Sequence, residues 1–257
     1  MHVSRTGTGK PLLLVHGVGS NYKSWGAVAP ALAEGRQVLA IDLPGHGASP
    51  AEHDSATFEG LVRSVEGFLD EEGLGRADMV GASLGGRVVL ELARKGRAGH
   101  VVALDPGGFW AGWERTYLQM TLLASVFLLK GLRPAIPYLA HSAMARSALL
   151  VELSAHPWAL DGELVANELQ SYADTPTFTP LVNELATIPA QAGPAAPGSG
   201  NIAIGWGRQD RLCWPVQAER AQKAFPAARL HWFENCGHYP AWDQPDEALA
   251  LILETIA

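Results

Sequence analysis

The feature that most constrains the fold is an alternation, repeated along the chain, of short apolar runs with amphipathic segments. All but the last run are nearly continuous in apolar residues, as is typical of parallel strands covered on both faces. Amphipathic helices are predicted after several of them, for example over 58–69, 88–92 and 248–256. The pattern therefore predicts a mostly parallel central sheet flanked by helices. The predicted strands are 11–17, 36–45, 77–83, 100–108, 201–207 and 228–237.

The alternation stops for about eighty residues before the last two strands. This region has helical patterns, many large aromatic and aliphatic residues and no clear strand, and it ends in a Pro/Gly/Ala-rich loop at 189–200. We predict a helical cap over 108–189, inserted into a core made of 1–107 and 190–257. A chain of 257 residues is long enough for one such core.

Charge and cysteine content exclude several function classes. A net charge of -7 with no basic cluster disfavours a nucleic-acid partner. Two cysteines and the absence of CxxC or HExxH motifs predict neither a disulfide framework nor a metal site. The N-terminal residues lack a signal-peptide pattern, and the longest uncharged apolar stretch, 117–129, is short for a membrane span. We therefore expect a cytoplasmic protein that acts on a small molecule and has no membrane span.

The segment "MVGASLGGRVVL" places Ser83 at the end of a predicted strand and before a predicted helix. Gly81-Ala82-Ser83-Leu84-Gly85 fits the G-x-S-x-G pattern of a nucleophile held on a tight strand-to-helix turn. The two glycines are needed because side chains at their positions would collide with neighbouring backbone. Ser83 is therefore the candidate nucleophile.

A serine nucleophile needs a base, and the base needs an acid to orient it. His238 lies in a loop between the last predicted strand and the last helix, where it is expected to face Ser83. Asp210 follows the preceding strand, and the chain order Ser, Asp, His is typical of such sites. Asp105 also ends a strand and is an alternative acid, whereas Asp42 is assigned to turn structure.

Acyl transfer also requires backbone donors for a developing oxyanion. One is expected to be the N–H of Leu84, directly after the nucleophile. The glycines of "VHGVGS" at 15–20 let the backbone approach closely, so the N–H of Val18 is the second candidate. His16 and His46 lie in glycine-rich turns, where we expect them to shape the backbone.

With these residues identified, the chain resembles the α/β-hydrolase superfamily over nearly its whole length. The resemblance implies the α/β-hydrolase fold, with Ser83 as nucleophile, Asp210 as acid and His238 as base. It also implies Val18 and Leu84 as the oxyanion hole, a cap over the pocket, and no cofactor or metal. The motifs that carry it, in chain order, are "HGVGSNYKSW", "DLPGHGAS", "GASLGG", "GRQDRLCWP" and "CGHYPAWDQPDEAL".

Two departures from the family pattern have consequences. Family members usually begin with an antiparallel hairpin, and only the residues from Met1 to Lys10 precede "PLLLVHG" here. We therefore expect the N-terminal edge strand to be missing and the sheet to be shorter. The residue before the nucleophile is often His or Asn in relatives and is Ala82 here, so this position does not assign the chain to a subfamily.

The serine itself narrows the activities that the resemblance implies. Dehalogenases and epoxide hydrolases of this fold use aspartate at its position. Carboxylesterases, lactonases, haloperoxidase-like perhydrolases and carbon–carbon hydrolases of aromatic ring-fission products remain. The last group usually has Trp where Tyr239 stands, and carries a cap arginine for which Arg133 and Arg146 are candidates.

Our hypothesis is hydrolysis of a carboxylic ester, lactone or thioester of a small, largely apolar substrate through an acyl-enzyme on Ser83. Carbon–carbon hydrolysis and perhydrolysis are the alternatives within the superfamily. A small-molecule receptor of the same fold with slow turnover is an alternative of another class. Trp25, Trp110 and Tyr239 are candidate substrate-binding residues.

Overall fold

The computed structural model covers residues 1–257 and contains one seven-stranded sheet in the order β1-β3-β2-β4-β5-β6-β7. Six strands are parallel, and β1 pairs antiparallel with β3 at one edge. The strands are β1 His2–Thr6, β2 Pro11–Val15, β3 Gln37–Asp42, β4 Ala77–Ala82, β5 Ala98–Leu104, β6 Ile202–Gly207 and β7 Arg229–Phe233.

The central strands are buried on both faces, as their continuous apolar sequences predict. Residues Leu12–Leu14 are fully buried, and all six residues of β4 are buried. Parallel pairing of β2 with both β3 and β4 places their carboxyl ends at one edge of the sheet. That edge is where the loops with the predicted site residues begin.

Helices cover the sheet in the predicted alternation. The apolar stripe over 58–69 forms the buried face of α2. Thr57 caps the N-terminus of this helix, because its side chain accepts a hydrogen bond from the N–H of Gly60. The helices that connect or follow the strands are α1 Val28–Ala33, α2 Phe58–Glu71, α3 Leu84–Arg94, α9 Val216–Ala224, α10 Pro240–Asp243 and α11 Pro245–Ile256.

The N-terminal edge of the sheet is simpler than a hairpin. A single antiparallel strand, β1, pairs with β3 from His2 opposite Asp42 to Thr6 opposite Val38. The prediction of a shorter sheet with an edge strand missing is confirmed, but the sequence reading assigned no strand to β1 itself. The sequence of β1 has no clear alternation of apolar and polar residues, because this edge strand is only partly buried.

Between β5 and β6 the chain forms five helices and no strand. These are α4 Trp113–Leu132, α5 Ile136–Leu139, α6 Ala143–Leu149, α7 Gly162–Asp174 and α8 Phe178–Leu185. The longest, α4, packs against α7 and α8. It buries Leu118, Val126 and Leu129 on one side and exposes Met120 and Phe127 on another.

The segment Trp113–Leu139 is long and apolar enough to cross a membrane by length and composition. It has 27 residues, its most apolar 18-residue window has a mean hydropathy of 1.3, and 17% of that window is buried. The sequence pattern predicts an uncharged apolar stretch over 117–129 only, which is shorter than this helical segment. One such helix is weak evidence, so the absence of a membrane span and the cytoplasmic location stay predictions.

Candidate active site

Ser83 stands in a strained backbone conformation at the end of β4. Its φ is +54°, a region that residues with a side chain rarely occupy. A Cβ at Gly81 would collide with the carbonyl of Gly85, and a Cβ at Gly85 would collide with the carbonyl of Val15. The predicted need for both glycines is therefore confirmed, and the strain at Ser83 is sustained by the close approach of strand and helix.

His238 and Asp210 are brought together from two different loops. His238 Nδ1 is 2.8 Å from Asp210 Oδ2, and both side chains are fully buried. The other carboxylate oxygen, Oδ1, accepts the backbone N–H groups of Leu212 at 2.8 Å and Cys213 at 2.9 Å. Asp210 is therefore fixed by the backbone and presents one oxygen to the imidazole.

The second imidazole nitrogen is left available. His238 Nε2 is buried and has no hydrogen-bond partner, and no hydrogen bond joins it to the Ser83 hydroxyl. Such bonds are often long in ligand-free enzymes and tighten when substrate binds. The backbone N–H of His238 donates to the carbonyl of Leu153 at 2.9 Å, which ties this loop to the chain after α6.

Asp105, the alternative acid, does not contact His238. Its Oδ1 accepts the N–H of Gly207 at 2.9 Å, and its Oδ2 has no partner. Burial and the negative charge of Asp210 raise the pKa of Asp105 well above its usual range. Burial and the neighbouring Asp210 thus disfavour a second charge on Asp105, and its φ of +42° marks a second strained residue at this edge.

The two predicted oxyanion donors belong to residues that lie close to Ser83. Val18 and Leu84 both line a small cavity that Ser83 also borders. The N–H of Val18 donates to no protein acceptor. Leu84 is the first residue of α3, so its N–H has no acceptor within the helix and adds the positive end of the helix dipole.

The residues assigned to backbone shaping have that role in the structure. His16 accepts the N–H of Leu43 at Nε2 and contacts the carbonyl of Gly17 through Nδ1. Burial lowers the pKa of His16 to about 4 and that of His46 to about 3. Asp42 accepts the N–H groups of Tyr22 and Ala48, which closes its turn.

Two small cavities meet at Ser83. The larger is about 40 Å³ and the smaller about 20 Å³, room for only a few water molecules. Eleven of the fourteen residues around the larger cavity are hydrophobic, and the others are Ser83, Ser125 and Glu152. Leu122 and Leu212 border both cavities. The serine therefore borders two small, mostly apolar cavities.

Of the candidate substrate-binding residues, Trp110 borders the smaller cavity and Tyr239 the larger. Trp25 borders neither: it is buried in the core, so its assignment was wrong. The candidate cap arginines also lie elsewhere. Arg133 pairs with Asp174 at the surface, and Arg146 donates to backbone carbonyls including that of Ala140.

Three polar residues near the cavities were not among the residues predicted from sequence. Arg87, one helical turn after Ser83, borders the smaller cavity. Glu168 and Tyr172 lie one turn apart on α7, and Tyr172 borders the larger cavity. The available signal was a pair of polar residues, four apart, on the otherwise apolar face of a helix.

Asp210, Cys213 and His238 place potential ligand atoms within 4.8 Å of one another. Burial and the charge of Asp210 raise the pKa of the Cys213 thiol well above its usual range. A cysteine binds a metal ion as the thiolate, and this thiol is hard to ionise. The three residues therefore fit a hydrogen-bonded Asp210–His238 pair better than a metal site.

Comparison with known proteins identifies the family. A sequence model of the alpha/beta hydrolase family matches residues 12–251. The chain belongs to this family. It is therefore an enzyme, a hydrolase. Membership of the family does not by itself determine which bond the enzyme cleaves.

The relatives include two kinds of hydrolase. The chain is 25% identical to the 2-hydroxy-6-oxo-6-phenylhexa-2,4-dienoate hydrolase of Burkholderia cepacia, over 100% of this chain and 91% of that protein. A thermophilic esterase from Thermogutta terrifontis has a TM-score of 0.78 at 22% identity, covering 99% and 92% of the two chains. A meta-cleavage product hydrolase from Pseudomonas fluorescens IP01 has a TM-score of 0.74 at 21% identity, covering 99% and 93%. The structural similarities establish the shared fold.

Proposed function

We propose that this hydrolase cleaves a carboxylic ester, lactone or thioester of a small, largely apolar substrate through an acyl-enzyme on Ser83. The observation that carries the proposal is the position of Ser83, at a strained φ of +54° between two mostly apolar cavities. We further propose that the segment 108–189 acts as the cap, since α4 and α7 supply part of the wall of the larger cavity.

In the proposed mechanism, His238 Nε2 takes the Ser83 proton as the hydroxyl oxygen attacks the carbonyl carbon. Asp210 holds the proton on Nδ1 and stabilises the imidazolium that forms. The N–H groups of Val18 and Leu84 bind the oxyanion, and loss of one such donor costs about 3–4 kcal/mol of transition-state stabilisation. His238 then protonates the leaving group and activates water for release of the acid.

The walls of the larger cavity favour a neutral substrate. Its only ionisable side chains besides the tyrosines belong to Glu152, and no lysine, arginine or histidine borders it. A substrate carboxylate placed there would lose its hydration and face an acidic residue, which is costly. Esters and lactones carry no such charge.

Carbon–carbon hydrolysis of a ring-fission acid is the second candidate, favoured by the sequence relatives. The smaller cavity offers one cation for an acid group, Arg87. Its Nη2 donates to the carbonyl of Pro189 and its Nε to Gln191, while its buried Nη1 has no partner. A substrate carboxylate at Nη1 would supply that partner.

A substrate pair separates the two candidates. Purified enzyme is assayed with p-nitrophenyl acetate and butyrate and with 2-hydroxy-6-oxo-6-phenylhexa-2,4-dienoate, beside Ser83→Ala and Arg87→Met. We expect ester turnover that Ser83→Ala abolishes and that Arg87→Met preserves. Turnover of the dienoate, lost in Arg87→Met, would instead establish the carbon–carbon activity.

Covalent labelling tests the nucleophile without assuming a substrate. A fluorophosphonate should modify Ser83, and mass spectrometry locates the label. Labelling at another residue, or equal ester rates for the wild type and Ser83→Ala, would contradict the assignment. If unmodified enzyme that the fluorophosphonate is able to label binds a ligand tightly without turning it over, the slow receptor is favoured.

A further inference from the structure

Glu168 is a fully buried carboxyl group on α7 that the proposed mechanism does not use. Its Oε2 accepts a hydrogen bond from the Ser20 hydroxyl at 3.0 Å, and its Oε1 has no partner. A buried carboxyl oxygen without a partner is costly, so a native structure that keeps one calls for an explanation.

No cation compensates this carboxyl group. The elements packed against α7 include α4, α5 and the 3₁₀ turn Tyr22–Trp25. Their charged residues are Glu114, Arg115, Lys130 and Lys23, and none of them forms an ion pair with Glu168. Its one hydrogen-bond partner is the Ser20 hydroxyl, and burial raises its pKa.

Two tyrosine hydroxyls lead from Glu168 toward the nucleophile. Tyr172 follows Glu168 by one helical turn, so the two buried side chains lie on the same face of α7, although no hydrogen bond joins them in this structure. The Tyr172 hydroxyl is 3.3 Å from that of Tyr239, and either can be the donor. All three side chains are buried, so water does not compete for these contacts.

The last hydroxyl of the series borders the reaction site. The point where a Cβ on Gly17 would stand is 2.6 Å from Tyr239 Oη and 3.2 Å from Ser83 Cβ. The same cavity is lined by Val18, whose N–H is a predicted oxyanion donor. The Tyr239 ring is held in place by stacking on Trp242, with centroids 4.1 Å apart.

We propose that Tyr239 donates a third hydrogen bond to the substrate carbonyl oxygen, and that Glu168 and Tyr172 orient its hydroxyl for this role. The inference rests on the proposed acyl transfer at Ser83. Tyr239 is then a catalytic residue, whereas Glu168 and Tyr172 are positioning residues.

The proton on Glu168 sets the direction of the series. The proposal places the missing partner of Oε1 at the Tyr172 hydroxyl in the substrate complex. There a neutral Glu168 donates from Oε1 to Tyr172, Tyr172 donates to Tyr239, and the Tyr239 proton points to the substrate. An ionised Glu168 accepts from Tyr172, so that Tyr172 accepts from Tyr239 and the Tyr239 proton turns away.

The pH dependence follows from that reversal. Burial raises the pKa of Glu168 to about 7, with the hydroxyls of Tyr172 and Ser20 acting in the opposite direction. The third hydrogen bond is therefore present when Glu168 is protonated, below about pH 7, and is lost as pH rises through that value. This loss gives kcat a descending limb on the alkaline side.

Glu168→Gln is the decisive variant because its amide can donate to Tyr172 at every pH while its carbonyl still accepts from Ser20. We compare kcat for p-nitrophenyl acetate from about pH 5.5 to 9, measuring acetate by chromatography so that nitrophenol ionisation does not enter. The wild type should lose about tenfold in kcat across the alkaline limb, and Glu168→Gln should not. Tyr239→Phe should lose about ten- to hundredfold in kcat at low pH, with a nearly unchanged KM.

Glu163→Gln is the matched control, since Glu163 lies on the same helix with its side chain exposed to solvent. It should keep both the rate and the alkaline limb. All rates are divided by the number of sites that a fluorophosphonate labels, so that misfolded protein does not contribute. A Glu168→Gln variant that keeps the wild-type limb, or that is slow at every pH, overturns the inference. Failure of the wild type to be labelled or to cleave esters would instead reject the proposed function.

Discussion

The carboxyl edge of the sheet and the helices between β5 and β6 contribute to the same cavities in different ways. At the sheet edge, backbone geometry fixes each group: Ser83 and Asp105 are held at positive φ, and Asp210 is bound by two backbone N–H groups. In the helical region, cavity walls are replaceable apolar side chains such as Leu129, and the opposite face exposes Phe127. Under the proposed function, the backbone therefore positions the reacting groups, whereas selectivity depends on side chains.

If this comparison holds, the largest effect of any substitution belongs to the sheet edge. Ser83→Ala should lower kcat for p-nitrophenyl acetate by about 10⁶-fold, as for nucleophile removal in other serine hydrolases. Thermal unfolding should change little, because alanine also has a Cβ and keeps the strain at φ +54°. Ser125→Ala, in the same cavity but on α4, should change kcat by less than about tenfold. Comparable losses in the two variants would break the comparison.

The two aspartates at the carboxyl edge of the sheet are expected to differ strongly in their effect on catalysis. Asp210→Asn should lower kcat by about 10⁴-fold, because an amide can stabilise the wrong tautomer of His238. Asp105→Asn should cost far less, since burial and Asp210 already raise the pKa of this carboxyl group and its Oδ1 contact with Gly207 survives in the amide. Stopped-flow and steady-state rates of the two variants decide the matter. The opposite order would make Asp105 the acid.

Glycine substitutions test the same contrast through stability. Gly81→Ala places a Cβ against the carbonyl of Gly85 and should lower the free energy of unfolding by about 2–4 kcal/mol. Gly131→Ala, within α4, meets nothing within 4 Å and should raise it by about 0.5–1 kcal/mol through helix propensity. Urea titrations with matched m-values measure both. A tolerated Gly81→Ala would mean that the turn is not as tightly constrained as its contacts indicate.

Much of the sheet edge could be predicted from sequence because its determinants are local. Nearly continuous apolar runs identified five of the six predicted strands, and the glycines around Ser83 identified the turn. The choice between Asp105 and Asp210 stayed open, since both end a strand. It depends on which loop reaches His238, and that is set by tertiary packing rather than by local pattern.

The helical region could be predicted only as helical. Apolar residues occur on several faces of α4, so periodicity does not tell which face lines the cavity. Trp25 was misplaced for a related reason, because aromatic character does not distinguish a core residue from a pocket residue. Glu168 was missed because its burial depends on α7 packing against the loop that carries Ser20.

The smallest predicted effect tests whether the two cavities bind different parts of the substrate. Leu129 borders only the larger cavity and Leu118 only the smaller, and both belong to α4. If one cavity holds the acyl group and the other the alcohol, Leu129→Ala and Leu118→Ala should each change kcat/KM in only one of two ester series. The first series varies the acyl chain and the second varies the alcohol, and a shift of about tenfold is expected per series.

Phe127→Ala, on the exposed face of α4, is the control and should change kcat/KM in neither series. Equal shifts in both series for both variants would mean that the cavities act as a single pocket, so that the helices set its size rather than its division at Ser83.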